Sequence, residues 1–455
     1  MNNQHRDIVI IGAGVTGLTL AHHLRKKNKS FLVLEKADRP GGVINTQKKA
    51  GFIYESGPNS GVIGQPEVVA LFDELGESIT LEKGNDLVKI RYILKNGEWH
   101  AIPSNPILAV TTPLFTLKDK FRVLGEPFRS PGTNPDESLA DMVKRRLGKS
   151  FLDYAIDPFI LGVYAGDPSM LIPRYALPKL YNLEQNYGSF IKGAMKKRRE
   201  PKTDLEKRTD RAVFSFDGGL STLTDALFQS AGTQNFLFGA QDTVISPAEN
   251  GTYTISFSNA EGKQVISANK VVTTTGSIGL QSMLPFIEER QMADLTNLKY
   301  ARVVEIALGF DEWQGCPIEG FGGLIPHTEK RDLLGVLFMS SLFKNRAPEG
   351  GALFSVFMGG IRNESLCDLD DKELLSVLEQ EFKDIMKLHD FNPQLIDIKR
   401  YSHAIPQYAI NTGERINAIE KVQNKFPGLI IAGNLRDGIG MADRIKQATL
   451  IAKEL

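Results

Sequence analysis

Three glycines at positions 12, 14 and 17 carry the clearest chemical signal in the chain. They follow a short apolar run at residues 7–11 that is typical of a buried parallel strand. Gly12 permits a tight turn, Gly14 lets the backbone approach a pyrophosphate, and Gly17 lets the next helix pack close to the strand. A second apolar strand ends at Glu35, about 20 residues further on, where a carboxylate accepts hydrogen bonds from ribose hydroxyls. We therefore predict a dinucleotide-binding βαβ unit.

A second glycine pair favours FAD over a nicotinamide dinucleotide. Gly41 and Gly42 come just after the second strand, where another stretch of backbone in flavoenzymes passes against the dinucleotide. The segment Gly57-Pro58-Asn59 is a glycine–proline turn that could run near the flavin. Two solvent loops are the alternative interpretation of these segments.

The far C-terminus repeats the strand–glycine–helix order. An apolar strand from residue 429 breaks into a polar turn before a final helix, so we expect both ends of the chain to close one nucleotide domain. The glycine backbone and the helix N-terminus would then face the flavin ring, where partial positive charge stabilises its reduced form. The residues of this predicted loop are Gly433, Asn434, Gly438, Ile439 and Gly440.

Composition is that of a soluble globular protein of two or three domains. The 455 residues carry 54 basic and 54 acidic side chains, and this zero net charge predicts no nucleic-acid partner. Cys316 and Cys367 lie far apart, so neither a redox dithiol nor a zinc site is expected. The seven histidines show no metal-ligand spacing, and His22 and His23 are expected to be a surface pair on the first helix. We predict no metal site.

Neither a secretory signal nor a membrane span is expected. The segment Met1–Arg6 is polar, and no stretch reaches the roughly 18 apolar residues of a spanning helix. These features predict a cytoplasmic protein. Two segments leave peripheral contact with the inner membrane face open: the apolar residues 106–124 and the charged residues 196–211. A channel wall and a solvated loop are the alternative interpretations of these segments.

The order of elements predicts an α/β fold in three parts. An FAD-binding Rossmann-like domain is expected from residues 1–90, 212–280 and 427–455. Residues 281–426 contain β-rich segments at Val303–Phe310, Leu334–Phe338 and Leu353–Met358 and a helical segment from Asp371 to Leu388, which predicts a β-rich α+β substrate domain. Residues 91–211 are mostly helical in pattern and form an insertion between them.

Several segments outside the glycine motifs resemble the protoporphyrinogen oxidases of haem biosynthesis, within the flavin amine oxidase superfamily. The resemblance covers nearly the whole chain. It is carried by Pro158–Pro168 with its Gly162-Val163-Tyr164-Ala165-Gly166 core, Gly320–Pro326, Phe357-Met358-Gly359-Gly360, Ile405–Tyr408, and the C-terminal Ala432-Gly433-Asn434 segment through Gly438 and Gly440 to Asp443.

The resemblance implies a substrate slot and a cofactor. It implies that a flat, apolar slot is lined by Gly162, Phe321, Gly322, Leu324 and Met358, with a cation at its rim for propionates. It also implies FAD contacts at Lys36 and Val244. The expected reaction is hydride loss from the carbon bridges of a porphyrinogen to flavin N5, so no catalytic side chain is assigned.

Further expectations concern the cofactor and its reoxidation. No cysteine follows Cys367, so FAD should be bound non-covalently. No second glycine fingerprint follows a strand, which favours O₂ as the acceptor. Homodimers are common in the family, but no residue indicates one here.

Two departures leave the exact porphyrinogen open. Eukaryotic relatives place an arginine shortly after an Ala-x-Pro step and another after the Gly-Pro turn. This chain has Ser104-Asn105-Pro106-Ile107 after Ala101-Ile102-Pro103, and Asn59 after the Gly-Pro turn. Protoporphyrinogen IX is the first expectation and coproporphyrinogen III the second. An amine oxidase, a carotenoid desaturase and a flavin-free prenyl-binding protein on this fold are less favoured hypotheses.

Overall fold

The computed structural model describes residues 4–455. Residues 1–3 of the polar N-terminal segment lie outside the described residues. The strands are β1 Gln4–Ile11, β2 Phe31–Leu34, β3 Thr46–Lys49, β4 Phe52–Glu55, β5 Gly61–Val62, β6 Leu81–Lys83, β7 Tyr92–Lys95, β8 Glu98–Ala101, β9 Val213–Phe216, β10 Phe236–Leu237, β11 Gln241–Pro247, β12 Tyr253–Asn259, β13 Gly262–Thr273, β14 Tyr300–Phe310, β15 Gly322–Leu324, β16 Leu333–Phe338, β17 Ala352–Gly359, β18 Leu395–Pro406 and β19 Leu429–Ile431.

The helices are distributed between the strands and cluster in the middle of the chain. They are α1 Val15–Lys26, α2 Pro66–Leu75, α3 Pro106–Thr111, α4 Leu117–Leu124, α5 Leu139–Arg146, α6 Lys149–Phe151, α7 Asp157–Tyr164, α8 Pro173–Ala176, α9 Pro178–Tyr187, α10 Phe190–Arg198, α11 Asp204–Arg208, α12 Ser221–Ala231, α13 Leu280–Met283, α14 Glu289–Thr296, α15 Met339–Leu342, α16 Asp371–Met386, α17 Thr412–Lys425 and α18 Met441–Glu454.

The first sheet combines the first and the last strand of the described residues. Its order is β10-β2-β1-β13-β12-β11, and β19 pairs with β13. Strands β10, β2, β1, β13 and β19 run parallel, whereas β12 and β11 form an antiparallel meander. All four residues of β2 are buried, because helices cover both faces of this part of the sheet. Helices α1, α12 and α18 pack together on one face.

The second sheet is covered by a long helix on one side. Its order is β18-β14-β17-β16-β15-β7-β8, and all neighbours are antiparallel except β15 and β7. Helix α16 covers its outer face through Leu374, Leu378, Phe382 and Ile385, which recur at helical spacing. We call the opposite side, which carries Glu305 on β14 and Phe357 on β17, the inner face.

The structure revises three boundaries of the predicted organisation. Residues 92–101, expected in the helical insertion, form the β7–β8 hairpin, and β7 pairs with β15 of the second sheet. Helices α14 and α17, expected in the substrate domain, and α13 at its predicted boundary pack their apolar residues on the first sheet instead. An apolar periodicity predicts that a helix buries one face, but it does not say which sheet receives that face.

His22 is also not a surface residue. Its side chain is buried between α1, α2 and α12, where it contacts Glu74 and Ser230. The prediction was wrong because the helices α12 and α18 that cover this side of α1 are more than 190 positions away in sequence.

Candidate functional site

The turn after β1 has the geometry that a pyrophosphate requires. Gly12 has a φ of +104°, in the region that favours glycine, and a Cβ at Gly17 would overlap the carbonyl oxygen of Gly12. No atom lies within 4 Å of the position where a Cβ of Gly14 would be. Helix α1 begins after Gly14 with no side-chain cap, so its first N–H groups remain available to an anion.

The second glycine pair lies directly against this turn. Gly41 donates its N–H to the carbonyl oxygen of Ala13 at 2.8 Å, and Gly14 and Gly41 form an isolated β-bridge. A Cβ at Gly42 would lie 3.2 Å from the Cα of Gly14. The structure therefore brings Gly41 and Gly42 to Gly14, where the sequence predicts a second stretch of backbone along the dinucleotide.

Glu35 lies at the end of β2, beside the glycine turn. Its carboxylate accepts hydrogen bonds from the N–H groups of Ala13 at 2.6 Å and Ala37 at 2.8 Å. Lys36 is exposed, and its carbonyl oxygen accepts a hydrogen bond from Gln241 at the start of β11, the strand that contains Val244. Glu35 is thus fixed in place, and the edge strand β11 begins next to it.

The turn Gly57-Pro58-Asn59 is held by the second sheet. Asn59 donates from Nδ2 to Oε1 of Glu305 at 2.6 Å, and Gly57 donates its N–H to Oε2 of Glu305 at 2.8 Å. The hydroxyl of Ser355 donates to Oδ1 of Asn59 at 2.5 Å. This buried network gives Asn59 a structural role, since its amide bonds both to an acceptor and to a donor on the inner face.

Glu305 is a candidate functional residue that the sequence did not reveal. Burial raises its pKa to about 8, against the lowering effect of the bonds from Asn59 and Gly57, so the carboxyl is largely protonated at neutral pH. Burial also raises the pKa of Glu55 on β4, and burial with the nearby Glu305 raises that of Tyr401 on β18. The only signal in the sequence for this residue is a glutamate within the otherwise apolar strand β14, where a buried carboxyl group is unfavourable unless it is hydrogen-bonded.

The C-terminal loop is fixed from several sides. The hydroxyl of Tyr408 contacts the carbonyl oxygens of Asn434 and Gly438, each at 2.9 Å. Gly433 donates its N–H to Gln447 of α18 at 2.9 Å, and Gly440 donates to Asp443 at 3.2 Å. Ile439 packs against the cluster of the helical insertion. All five predicted loop residues therefore lie in one anchored turn at the N-terminus of α18.

The predicted substrate residues divide between the two faces of the second sheet. Leu324 pairs with Gly335, and Gly335 pairs with Phe357, so Leu324 and Phe357 share the inner face with Glu305. Gly162 of α7 lies against this face, because a Cβ there would overlap the side chain of Leu324.

Phe321 and Gly322 lie where β15 begins on this side. Phe321 packs against the inner-face cluster around Phe52 and Leu353. Gly322 has a φ of +128°, and a Cβ there would overlap the carbonyl oxygen of Val336. Its role is thus a close approach of two strands, which only glycine allows.

Met358 lies on the outer face and does not line the slot. It is fully buried in the core between the second sheet and α16. Its neighbour Phe357 stands directly opposite Glu305 and is only partly buried. Successive side chains in a strand point to opposite faces, so Phe357, and not Met358, faces the same side as Glu305.

Arg91 is a second candidate functional residue that the sequence did not reveal. It precedes β7, and its guanidinium lies 5.1 Å from the centre of the Phe321 ring. Among residues 4–455 it has no carboxylate partner. Arg91 also lines a cavity of about 690 Å³ with Ile102 and Pro103.

The Gly57–Asn59 turn connects the nucleotide-binding glycine segments to the inner face of the second sheet, through the hydrogen bonds to Glu305. Residues 15–450 match the family of flavin-containing amine oxidoreductases. The chain belongs to this family. It is an FAD-dependent oxidoreductase, and the open space at Gly14, the uncapped α1 and the Gly41–Gly42 contact fit the dinucleotide that this family binds.

Curated relatives and solved structures match over the full length. The chain is 30% identical to protoporphyrinogen oxidase 2 of Arabidopsis thaliana, over 96% of this chain and 91% of the relative. It is 28% identical to coproporphyrinogen III oxidase of Bacillus subtilis, over 98% and 97%. A solved Exiguobacterium structure, provisionally assigned as a protoporphyrinogen oxidase, superposes with a TM-score of 0.81 at 24% identity, over 100% of this chain and 99% of that one. Reduced UDP-galactopyranose mutase superposes at 0.75 with 15% identity, over 99% and 95%. These matches confirm the predicted α/β flavoprotein fold.

No helix within residues 4–455 is long and apolar enough to cross a membrane.

Proposed function

We propose that this protein oxidises a porphyrinogen to the aromatic porphyrin, with protoporphyrinogen IX as the first candidate substrate. The observation that carries the proposal is the inner face. There Leu324 and Phe357 offer apolar surface, and Gly162 adds no side chain. Arg91, over the Phe321 ring just before β15, offers a cation that no carboxylate of residues 4–455 pairs with. A flat macrocycle with ionised propionates is complementary to such a surface. The names of the full-length relatives in plants and bacteria support the same substrate class.

The chain's own residues position the substrate and exclude water. The pyrroles of a porphyrinogen weaken the C–H bonds of its bridging carbons towards hydride loss, and bound flavin supplies the two-electron acceptor. Arg91 pairs with a propionate and sets the orientation, while Leu324 and Phe357 contact the ring system. No strong base is required next to the reacting carbon, which agrees with a Glu305 carboxyl that is largely protonated at neutral pH.

Coproporphyrinogen III is the second candidate because of the charge beside Arg91. It carries four propionates where protoporphyrinogen IX carries two. Lys83, Lys89 and Arg211 line the same cavity as Arg91. Lys83 pairs with Asp210 and Lys89 with Asp86, so both are already partly compensated. The first candidate therefore stays protoporphyrinogen IX, whose two propionates need fewer cations at this end.

The test is anaerobic mixing of the purified protein with each porphyrinogen. We expect bleaching of the flavin absorbance and the appearance of porphyrin fluorescence, faster with protoporphyrinogen IX. Faster reaction with coproporphyrinogen III would select the second candidate. Absence of bleaching with both, in a protein that is yellow and folded, would refute a porphyrinogen substrate.

The same proposal includes non-covalent FAD binding and reoxidation by O₂. We expect FAD to be released by acid precipitation, since no cysteine lies in the segment that closes the nucleotide domain. We expect O₂ as the acceptor, with peroxide formed after each two-electron step. A homodimer stays a prediction, and light scattering of the purified protein tests it.

A peripheral membrane contact is supported by α3, α4 and the residues after them. Ile107, Val110, Leu117, Phe121 and Phe128 are all exposed, Phe121 by 72% and Phe128 by 86%. Exposed apolar side chains this close together mark an interaction surface.

Cations surround these side chains. Lys118 and Arg122 are exposed on α4, and Lys192 lies 5.3 Å from the Phe128 ring. This combination is typical of helices that lie in the plane of an anionic membrane surface. We expect the protein to float with anionic liposomes and Phe121→Ser with Phe128→Ser to abolish flotation. Flotation of the double variant at the wild-type level would contradict the contact.

A further inference from the structure

Three potential metal-ligand atoms converge on the side of the nucleotide domain that is covered by α2 and α18. Nε2 of His22 lies 2.9 Å from Oε2 of Glu74, and Nδ1 of His23 lies 3.6 Å from the same oxygen. One ligand atom from each residue lies within 4.8 Å of the other two. His22 and His23 belong to α1, and Glu74 belongs to α2.

In each imidazole, the ring nitrogen that does not face Glu74 contacts a neighbouring hydroxyl group. The hydroxyl of Thr449 donates to the carbonyl oxygen of Ile445 at 2.9 Å, so it accepts a hydrogen bond from Nε2 of His23 at 3.1 Å. Nδ1 of His23 is then unprotonated, with its lone pair on the side of Glu74. Nδ1 of His22 likewise contacts the hydroxyl of Ser230 at 2.7 Å. A hydrogen bond at the outer nitrogen is the usual support of a metal-bound histidine.

We propose that His22, His23 and Glu74 bind a divalent transition metal, with Zn²⁺ the best match. Two imidazole nitrogens and one carboxylate oxygen are ligands that Zn²⁺ prefers, whereas Mg²⁺ and Ca²⁺ prefer oxygen alone. The fourth position is open to water, because 30% of the Glu74 side chain is exposed. The metal connects α1, whose first turn lies at Gly14, to α2.

The charges around the site decide whether a metal can enter. Lys26 pairs with Oε2 of Glu74 at 3.0 Å and competes with the metal for that oxygen. Its side chain is 52% exposed, and it can move into solvent when the metal binds.

The experiment is calorimetric titration of the untagged, chelator-treated, FAD-loaded protein with Zn²⁺. We expect one site per chain. His23→Ala should weaken binding by about 100-fold or more, and Thr449→Val, which removes only the supporting hydroxyl, by about 10-fold. Lys26→Met should strengthen binding by about two- to fivefold, as expected for removal of a surface ion pair. Substitution of the exposed and distant His389 by alanine is the control and should leave the Kd unchanged.

The outcomes separate this site from adventitious binding. Equal Zn²⁺ affinity in the wild type and His23→Ala, or no heat at submillimolar Zn²⁺ in the wild type and Lys26→Met, would refute the proposal. Co²⁺ gives an independent measurement, since visible absorption bands report nitrogen and oxygen ligands directly. Flavin absorbance and circular dichroism show whether each variant is folded, and Lys26→Met tests the site without removing a ligand.

Discussion

The nucleotide half and the inner face of the second sheet are built from different kinds of residues. In the nucleotide half, the residues that matter are glycines within a few positions of one another, and their backbone makes the contacts. On the inner face, the residues are side chains from Arg91, Gly162, Leu324 and Phe357, spread over more than 260 positions. The glycine site of the nucleotide half therefore tolerates no added side-chain atoms. The inner face depends on the direction in which each side chain points. The following four experiments test this difference.

The largest effect is expected from Gly14→Val. The open space beside Gly14 would be filled by the new side chain, which blocks the approach of a pyrophosphate. We expect complete loss of the yellow colour, measured as the flavin-to-protein absorbance ratio after reconstitution with FAD. Gly64→Ala is the control, because only atoms of Val62 at 3.9 Å neighbour that position. A yellow Gly14→Val protein would mean that the dinucleotide does not pass this glycine.

Phe357→Ala and Met358→Ala test the assignment of the two strand faces. Met358 is fully buried, so its truncation should lower the free energy of unfolding by about 2–5 kcal/mol, measured by urea denaturation. Phe357 is partly buried on the inner face, so its truncation should mainly raise KM for the porphyrinogen. If Met358→Ala changes KM and Phe357→Ala does not, the faces have been exchanged.

Arg91→Ala tests the carboxylate contact. Loss of a charge-assisted hydrogen bond to a propionate costs about 1.5–3 kcal/mol, or roughly 10- to 150-fold in kcat/KM. Flavin content should stay unchanged, since Arg91 lies on the substrate side. Arg400→Ala serves as the matched control, because that arginine pairs with Asp371 beside α16. An unchanged kcat/KM in Arg91→Ala would leave the propionates to Lys83, Lys89 or Arg211.

Glu305→Gln tests the contact between β14 and the Gly57–Asn59 turn, and its effect is expected to depend on pH. The pKa of Glu305 is raised in the folded protein, so between its unfolded value near 4.5 and about 8 the folded state binds one more proton. Stability contributed by this group is therefore fully present at low pH and falls as the pH rises towards 8. We expect the Tm of the wild type, relative to Glu305→Gln, to decrease from pH 5 to pH 8. Parallel Tm curves for the two proteins would show that Glu305 does not titrate in this range.

The sequence predicted the local elements well and the partners of those elements less well. The strand at Val303–Phe310 and the helix from Asp371 are both present, because apolar periodicity and the Asp370 cap act within a few residues. Residues 92–101 were expected in the helical insertion, whereas they form the β7–β8 hairpin and β7 pairs with β15, because strand pairing over 220 residues has no local signal. Met358 was predicted to line the slot, but its side chain is buried on the outer face, because a sequence motif does not specify which face of a strand is buried.

The sequence by itself determined the glycine turn, Glu35, the second glycine pair and the C-terminal loop. These sites are made by backbone conformation, and backbone conformation is set by residue type at short spacing. Only the tertiary structure decided that Glu305 holds Asn59 and Gly57, that Arg91 lies at the Phe321 ring, and that His22 and His23 meet Glu74. These contacts join side chains from separate elements, so they exist only once the sheets and helices have packed.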